Sequence, residues 1–163
     1  MNIRLQKFPL ILIIVFLCIA TFAADKIEGA FGMKLGDTFD PSSAIRILEG
    51  KDGIPSYQFN TTNAFRSFKN YFVMVTPKTH QIYSIWAVGK IGDLQAGKEE
   101  QAKVMELLRK QFGNDEAPTD MEIHQGNRLV ATKLVGNVDV TIAILYTDSD
   151  LKALADKERL TAK

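Results

Sequence analysis

The amino terminus of this 163-residue chain has the pattern of an export leader, and this pattern decides which residues are left to fold. Arg4 and Lys7 form a basic start, and the stretch from Phe8 to Ala23 contains no charged residue. A basic start, an apolar middle and a small-residue end are the three parts of a secretory signal peptide. We therefore predict a signal peptide over residues 1–23, cleaved after Ala23, with Ala24 as the alternative cleavage residue.

A retained membrane anchor is the alternative interpretation of this leader. A membrane-spanning helix needs about 20 apolar residues, and the uncharged stretch here has 16. Lipidation is not expected, because Cys18 lies inside the apolar stretch and follows Leu17, whereas a lipoprotein signal needs a small residue there. We expect cleavage and a periplasmic or secreted location, with membrane attachment only if the leader is retained.

The remaining residues, 24–163, are expected to form a single domain without disulfide bonds. Cys18 is the only cysteine of the chain, so a disulfide framework and a thiolate metal site are excluded. The composition, 46% hydrophobic and 24% charged, is too apolar for a disordered protein. Without Arg4 and Lys7, 18 basic residues stand against 19 acidic ones. This balance is not that of an electrostatic nucleic-acid binder, and we expect no nucleic-acid partner.

The strongest patterns in the sequence predict an antiparallel sheet with two helices. Residues 71–76 and 81–91 are rich in strand formers and flank a Pro-containing turn, which is typical of a hairpin at the centre of a sheet. Residues 121–146 contain three strand-like runs separated by Gly-Asn turns. Apolar residues at helical spacing predict helices over 98–112 and about 150–161.

Weaker patterns lie between the leader and the hairpin. Alternating Phe31, Met33 and Leu35 predict a strand within 27–36, and Asp40-Pro41 predicts a short helix that ends near Gly50. A short strand is expected over 57–62. Together these elements predict an α+β fold, with an antiparallel sheet of five or six strands and the two main helices packed on one face.

The motifs that could carry chemistry are incomplete. Residues 92–98 match the G-x-x-x-x-G-K phosphate loop, but Glu99 stands where a Ser or Thr should hold magnesium, so we expect no nucleotide. His80 and His124 lack the spacing of a metal site. Asp148 to Asp150 begins like a calcium loop but is explained by a helix cap. We therefore predict no metal, no cofactor and no catalytic residue.

The turn of the central hairpin, Thr76 to His80, is the one segment with the character of a recognition element. A rigid, exposed tip that carries Lys and His is suited to contact a partner. Hairpin tips are also commonly polar without any role in binding. We predict Lys78, Thr79 and His80 as binding residues.

Several segments resemble small exported bacterial, periplasmic proteins of uncharacterised function. They are the F-G-x-x-L-G opening at 31–36, the segment YFVMVTPKTHQIYSIWA at 71–87, the helix end at 107–113 and the residues 146–148. The resemblance implies a bacterial cell-envelope location and carries over no activity, cofactor or catalytic residue. The order of elements also looks like that of the small α+β modules of envelope assembly factors and secreted enzyme inhibitors.

These observations predict an exported, non-enzymatic protein that binds an envelope or secreted protein. Two alternatives stay open. The first is an envelope hydrolase that uses His80 or His124 with a carboxylate brought close by the fold. The second is an inhibitor or immunity protein that acts through the tip at 76–80.

Overall fold

The computed structural model describes residues 24–50, 53–113, 121–136 and 139–161. Within these residues there are two helices, α1 (Leu94–Phe112) and α2 (Ser149–Leu160), and nine strands. The strands are β1 (Gly29–Ala30), β2 (Met33–Lys34), β3 (Arg46–Glu49), β4 (Pro55–Phe59), β5 (Asn70–Val75), β6 (Ile82–Gly92), β7 (Glu122–Gln125), β8 (Arg128–Val135) and β9 (Val140–Asp148). The predicted leader lies outside the described residues, as do residues 114–120, residue 137 of the last predicted turn and residue 138, the predicted start of the last strand. None of the helices in the described part of the chain has the length and apolar character needed to cross a bilayer.

Seven of the described strands form one antiparallel sheet in the order β3-β4-β5-β6-β9-β8-β7. The predicted α+β class is confirmed, and so is the position of the 71–91 hairpin at the centre of the sheet, where β6 is the middle strand. Residues paired across antiparallel strands share a face. The aligned row of Val73, Ile85, Tyr146 and Val130 is buried, and this face carries the hydrophobic core.

Helix α1 covers this core face. Its side chains Val104, Met105, Leu108 and Phe112 are buried in the same cluster as the strand residues. The helix begins at Leu94, a turn earlier than predicted, because the Asp93 carboxylate accepts the Ala96 N–H at 2.8 Å and caps the first turn. It ends at Phe112, as predicted, and is capped by Gly113, which has the left-handed φ of 68°.

Helix α2 packs on the opposite face of the sheet. Ile82 and Ile85 both belong to the core beneath α1, and a bulge between them turns Tyr83 and Ser84 to the sheet face opposite α1. We call this face the reverse face. The Arg159 guanidinium of α2 donates to the Tyr83 hydroxyl at 3.0 Å. The prediction that both helices lie on one face is therefore wrong. The extra residue of the bulge changes which side chains face each side, and the sequence pattern does not reveal it.

The amino-terminal half contains more strand than predicted. The helix predicted after Asp40 is only a 3₁₀ turn, Pro41–Ser43, and the residues after it form the edge strand β3. Strands β1 and β2 form a separate two-stranded sheet where one strand was predicted. The prediction of five or six strands in the main sheet is thus wrong by one or two. The short strand predicted over 57–62 corresponds to β4, Pro55–Phe59.

Candidate interaction surface

The predicted recognition tip is a tightly bonded turn. The Thr76 side chain is buried, its hydroxyl accepts the Gln81 N–H at 2.8 Å, and it shares a 2.6 Å hydrogen bond with the Thr79 hydroxyl. His80 has a positive φ of 52° and donates its N–H to the Thr76 carbonyl at 3.0 Å. These bonds fix the backbone of the tip, and Pro77, Lys78 and Thr79 are exposed on it.

Helix α2 braces the tip. The Lys78 N–H donates to the Glu158 carboxylate at 2.8 Å, and the Lys78 ammonium donates to the Thr161 hydroxyl at 3.1 Å. The carbonyl of His80 accepts the Phe39 N–H at 2.9 Å. The three predicted binding residues therefore lie on one rigid turn. The side chains of Lys78 and Thr79, however, already form hydrogen bonds within the protein.

The two histidines do not form a catalytic arrangement with the described residues. The His124 ring lies on the exposed side of strand β7, 3.1 Å from the Glu122 carboxylate, and both side chains are more than half exposed. Among the described residues, no hydroxyl bonds either imidazole, and no group of three His, Cys, Asp or Glu side chains is suited to hold a metal ion.

The segment that matches a phosphate loop forms helix instead. Residues 94–98 already lie within α1, and Gly97 is buried against the sheet. A Cβ atom on Gly97 would lie 2.8 Å from Val140 Cγ1, so the glycine allows close packing of the helix on β9. Asp148, which begins the calcium-like segment, caps α2 as predicted by accepting the N–H groups of Asp150 and Leu151.

An apolar strip crosses the middle of the reverse face. The rings of Phe72 and Trp86 stack with centroids 4.3 Å apart and an interplanar angle of 20°. Leu145 lies directly across from Trp86 and is 37% exposed, and Ala143 lies across from Val88. We call these five residues the reverse-face strip. They cover parts of three adjacent strands beyond the region where α2 packs.

The rim of the reverse-face strip is polar and carries positive charge. Gln58 and Asn70 border it on one side, and their amides are 3.4 Å apart. On the other side Lys133 lies across from Ala143, and Lys90 is paired with Thr141 on the same face. Both lysines are exposed, and neither forms an ion pair with a described residue.

This surface could not be found from sequence periodicity. It depends on side chains from β5, β6 and β9 that come together only through the register of the sheet. The only local indication of this surface in the sequence is the aromatic and aliphatic character of alternate residues on β6.

Comparison of the chain with protein-family models, with curated proteins and with solved structures finds no match.

Proposed function

We propose that this protein is an exported, non-enzymatic binding module of the bacterial cell envelope that holds an acidic protein partner on the reverse-face strip. The observation that carries the proposal is an apolar centre, half-buried except for the exposed Leu145 and the buried Phe72, that is bordered by lysines and amides. Protein interfaces have this arrangement, with aromatic and aliphatic residues at the centre and a polar rim.

The centre of the strip supplies the apolar part of the contact. Trp86 is an aromatic anchor of the type that dominates the binding energy of interfaces. Its stacking on Phe72 holds the indole in one orientation, which reduces the side-chain entropy lost when a partner binds. Leu145 retains 37% of its surface in contact with solvent, and that surface is available for burial.

The charges at the rim favour a partner with carboxylates around its own apolar patch. Lys90 and Lys133 lie on the same face and are separated by the first residues of β9, Thr141 and Ala143. Glu122, the acidic residue at the far edge of this face, already faces the His124 ring. Complementary charge speeds association and selects among partners, and its effect decreases with salt because exposed charges are screened.

The location is inferred from the leader and from the resemblance described above. The pattern of residues 1–23 is that of a cleaved signal peptide, and the remaining residues contain no cysteine. A domain that folds by burial of its core needs no disulfide oxidation after export. The protein can therefore fold in the envelope without disulfide bonds, and the partner is expected in the same compartment.

The test is a binding measurement on a partner purified from envelope extract. The variant Leu145→Thr keeps β-propensity but removes the exposed apolar surface, and we expect it to weaken binding at least tenfold. The matched control is Ile47→Thr, since Ile47 is 55% exposed on the opposite face at edge strand β3. Equal losses for the two variants, or none for Leu145→Thr, would contradict the proposal.

A charge-reversal pair tests the acidic character of the partner. Lys133→Glu is expected to slow association, with the difference from wild type shrinking as salt increases. Lys34→Glu, at an exposed position on the small sheet, serves as the control and is expected to leave the association rate unchanged. Faster association of Lys133→Glu would show that the partner is basic and would reject this part of the proposal.

The braced hairpin tip supports a second candidate, an inhibitor that inserts 76–80 into the cleft of an enzyme. Rigid loops bind with a smaller loss of conformational entropy, and α2 fixes this one through Glu158. In this case Lys78→Ala and His80→Ala would each weaken a demonstrated inhibition while Leu145→Thr would not. Full inhibition by both tip variants would reject the candidate.

A further inference from the structure

A crevice of about 270 Å³ opens on the core face, on the other side of the sheet from the reverse-face strip. Helix α1 forms one wall with Leu107, Leu108 and Gln111, and the small β1–β2 sheet and the loop at 63–65 form the others. None of the described residues that line it is charged. The crevice is therefore an apolar site with a few amide groups near its walls.

Tyr146 lines the crevice, and its hydroxyl is one polar group that a molecule in the crevice could reach. Tyr146 is only 5% exposed, and burial raises the pKa of its hydroxyl above the ordinary value of 10. No described residue forms a hydrogen bond with it. By contrast, the Tyr71 hydroxyl in the same core donates to the Phe68 carbonyl at 2.9 Å and accepts the Phe65 N–H at 3.0 Å. Among the described residues the Tyr146 hydroxyl, unlike that of Tyr71, has no acceptor, so it can donate to a molecule in the crevice.

The wall next to this hydroxyl is held in a fixed conformation. Phe31 has a φ of 56°, in the left-handed region that a non-glycine residue rarely adopts. The Thr61 hydroxyl donates to the Phe31 carbonyl at 2.6 Å. The Phe31 ring contacts those of Tyr71 and Tyr146 with centroids 4.9 and 5.9 Å apart. Strained backbone that the surroundings hold in place is a feature of binding sites.

We infer that this crevice binds a small uncharged ring compound that accepts a hydrogen bond from the Tyr146 hydroxyl. An apolar cavity of about 150 Å³ holds one benzene ring, so the volume here corresponds to one or two fused rings. The aromatic walls favour a flat ligand. A charged ligand is disfavoured because no charge on the described lining residues would compensate for its desolvation.

The experiment titrates the purified protein with 2-naphthol and with the charged analogue 2-naphthoate. We expect 2-naphthol to bind at least tenfold more tightly than 2-naphthoate and to shift the NMR signals of Ala30 and Ala64, which line the crevice. Tyr146→Phe keeps the ring and removes only the hydroxyl. This variant should bind 2-naphthol about fivefold to tenfold more weakly, which is the effect of one hydrogen bond.

Two further variants decide whether the effect belongs to the crevice. Tyr83→Phe removes a tyrosine hydroxyl on the reverse face and should leave the affinity unchanged. Ala64→Trp, at an exposed position on the crevice wall, should block binding without affecting the core. No detectable binding of 2-naphthol at millimolar concentration, equal losses in both Tyr→Phe variants, or full binding by Ala64→Trp would overturn the inference. None of these outcomes depends on the reverse-face strip.

Discussion

Two buried hydroxyl groups near the turn of the central hairpin, those of Thr76 and Ser84, differ in whether they are hydrogen-bonded. The Thr76 hydroxyl bonds the Gln81 N–H and the Thr79 hydroxyl, and it holds the tip closed. The Ser84 hydroxyl is buried on the reverse face and has no partner among the described residues. Burial of a hydroxyl without a hydrogen bond lowers stability, so the two positions should respond in opposite ways to the loss of this group.

We expect Ser84→Ala to raise the free energy of unfolding by about 1 kcal/mol, because it removes an unsatisfied buried group. Thr76→Val is expected to lower it by about 2 kcal/mol, since the Gln81 N–H loses its side-chain acceptor. Urea unfolding of both variants and the wild type measures the difference. A loss of stability in Ser84→Ala as large as that in Thr76→Val would show that Ser84 is bonded in solution.

An ion pair between Arg66 and Glu100 links the loop before β5 to helix α1. The guanidinium donates two hydrogen bonds to the carboxylate, at 2.7 and 3.0 Å. These hydrogen bonds hold the pKa of Glu100 below its ordinary value of 4.5. Because the folded state favours the ionised form, the stabilisation is complete well above pH 4.5 and is lost as the pH falls through the lowered pKa.

Glu100→Gln should therefore destabilise the protein in a way that depends on pH. At pH 7 we expect a loss of about 0.5 kcal/mol, kept small by the partial exposure of the pair. Below the lowered pKa of Glu100 the variant and the wild type should have equal stability. Glu106→Gln, at an exposed position of the same helix, is the control. A difference for Glu100→Gln that stays constant down to acid pH would contradict this role of the ion pair.

At the scale of elements, the sequence predicted those parts that carry dense or helically spaced apolar residues. Strands β5 and β6 are nearly continuous runs of strand formers buried on both faces, and helix α1 buries residues at helical spacing. Strand β3 was missed because it lies at an edge of the sheet. Ile45 and Ile47 are 54% and 55% exposed, so no buried alternation marks the segment, and the spacing of its apolar residues matched a short helix equally well.

A substitution at Gly97 tests whether this glycine of the phosphate-loop pattern is needed for close packing of α1 on β9. In an open helix Gly→Val would be slightly stabilising, because glycine is the poorer helix former. Here we expect Gly97→Val to lower the free energy of unfolding by about 2 kcal/mol, because the added atoms overlap Val140. Lys98→Val, at the exposed neighbouring position, should change stability by less than about 1 kcal/mol. A stabilised Gly97→Val would show that the helix does not pack this closely on β9.

At the scale of the whole molecule, the candidate surfaces depend on long-range register. The predicted tip residues are neighbours in sequence, so their proximity could be predicted without a structure. Trp86, Leu145 and Phe72 come from three strands, and a bulge after Met74 alters the faces of the residues beyond it. A single shift in that register would turn different side chains toward solvent, which is why the strip could not be predicted from sequence alone.

The signal peptide predicted over residues 1–23 can be tested on the protein itself. We expect the exported form to begin at Ala24, with residues 1–23 removed, because the apolar stretch is short and ends in small residues. Intact-mass spectrometry of the periplasmic or secreted fraction measures this directly. Recovery of the protein with Met1 attached in the membrane fraction would indicate a retained anchor.

The claim that this protein works by contact through its reverse face is tested most directly by site-specific photo-crosslinking in the cell envelope. A photoreactive residue at Leu145 should give one discrete cross-linked protein, with a yield that decreases as salt increases. The same residue at Leu160, which is 77% exposed on α2, should not give this product. Identical products from both positions, or none from Leu145, would contradict the account.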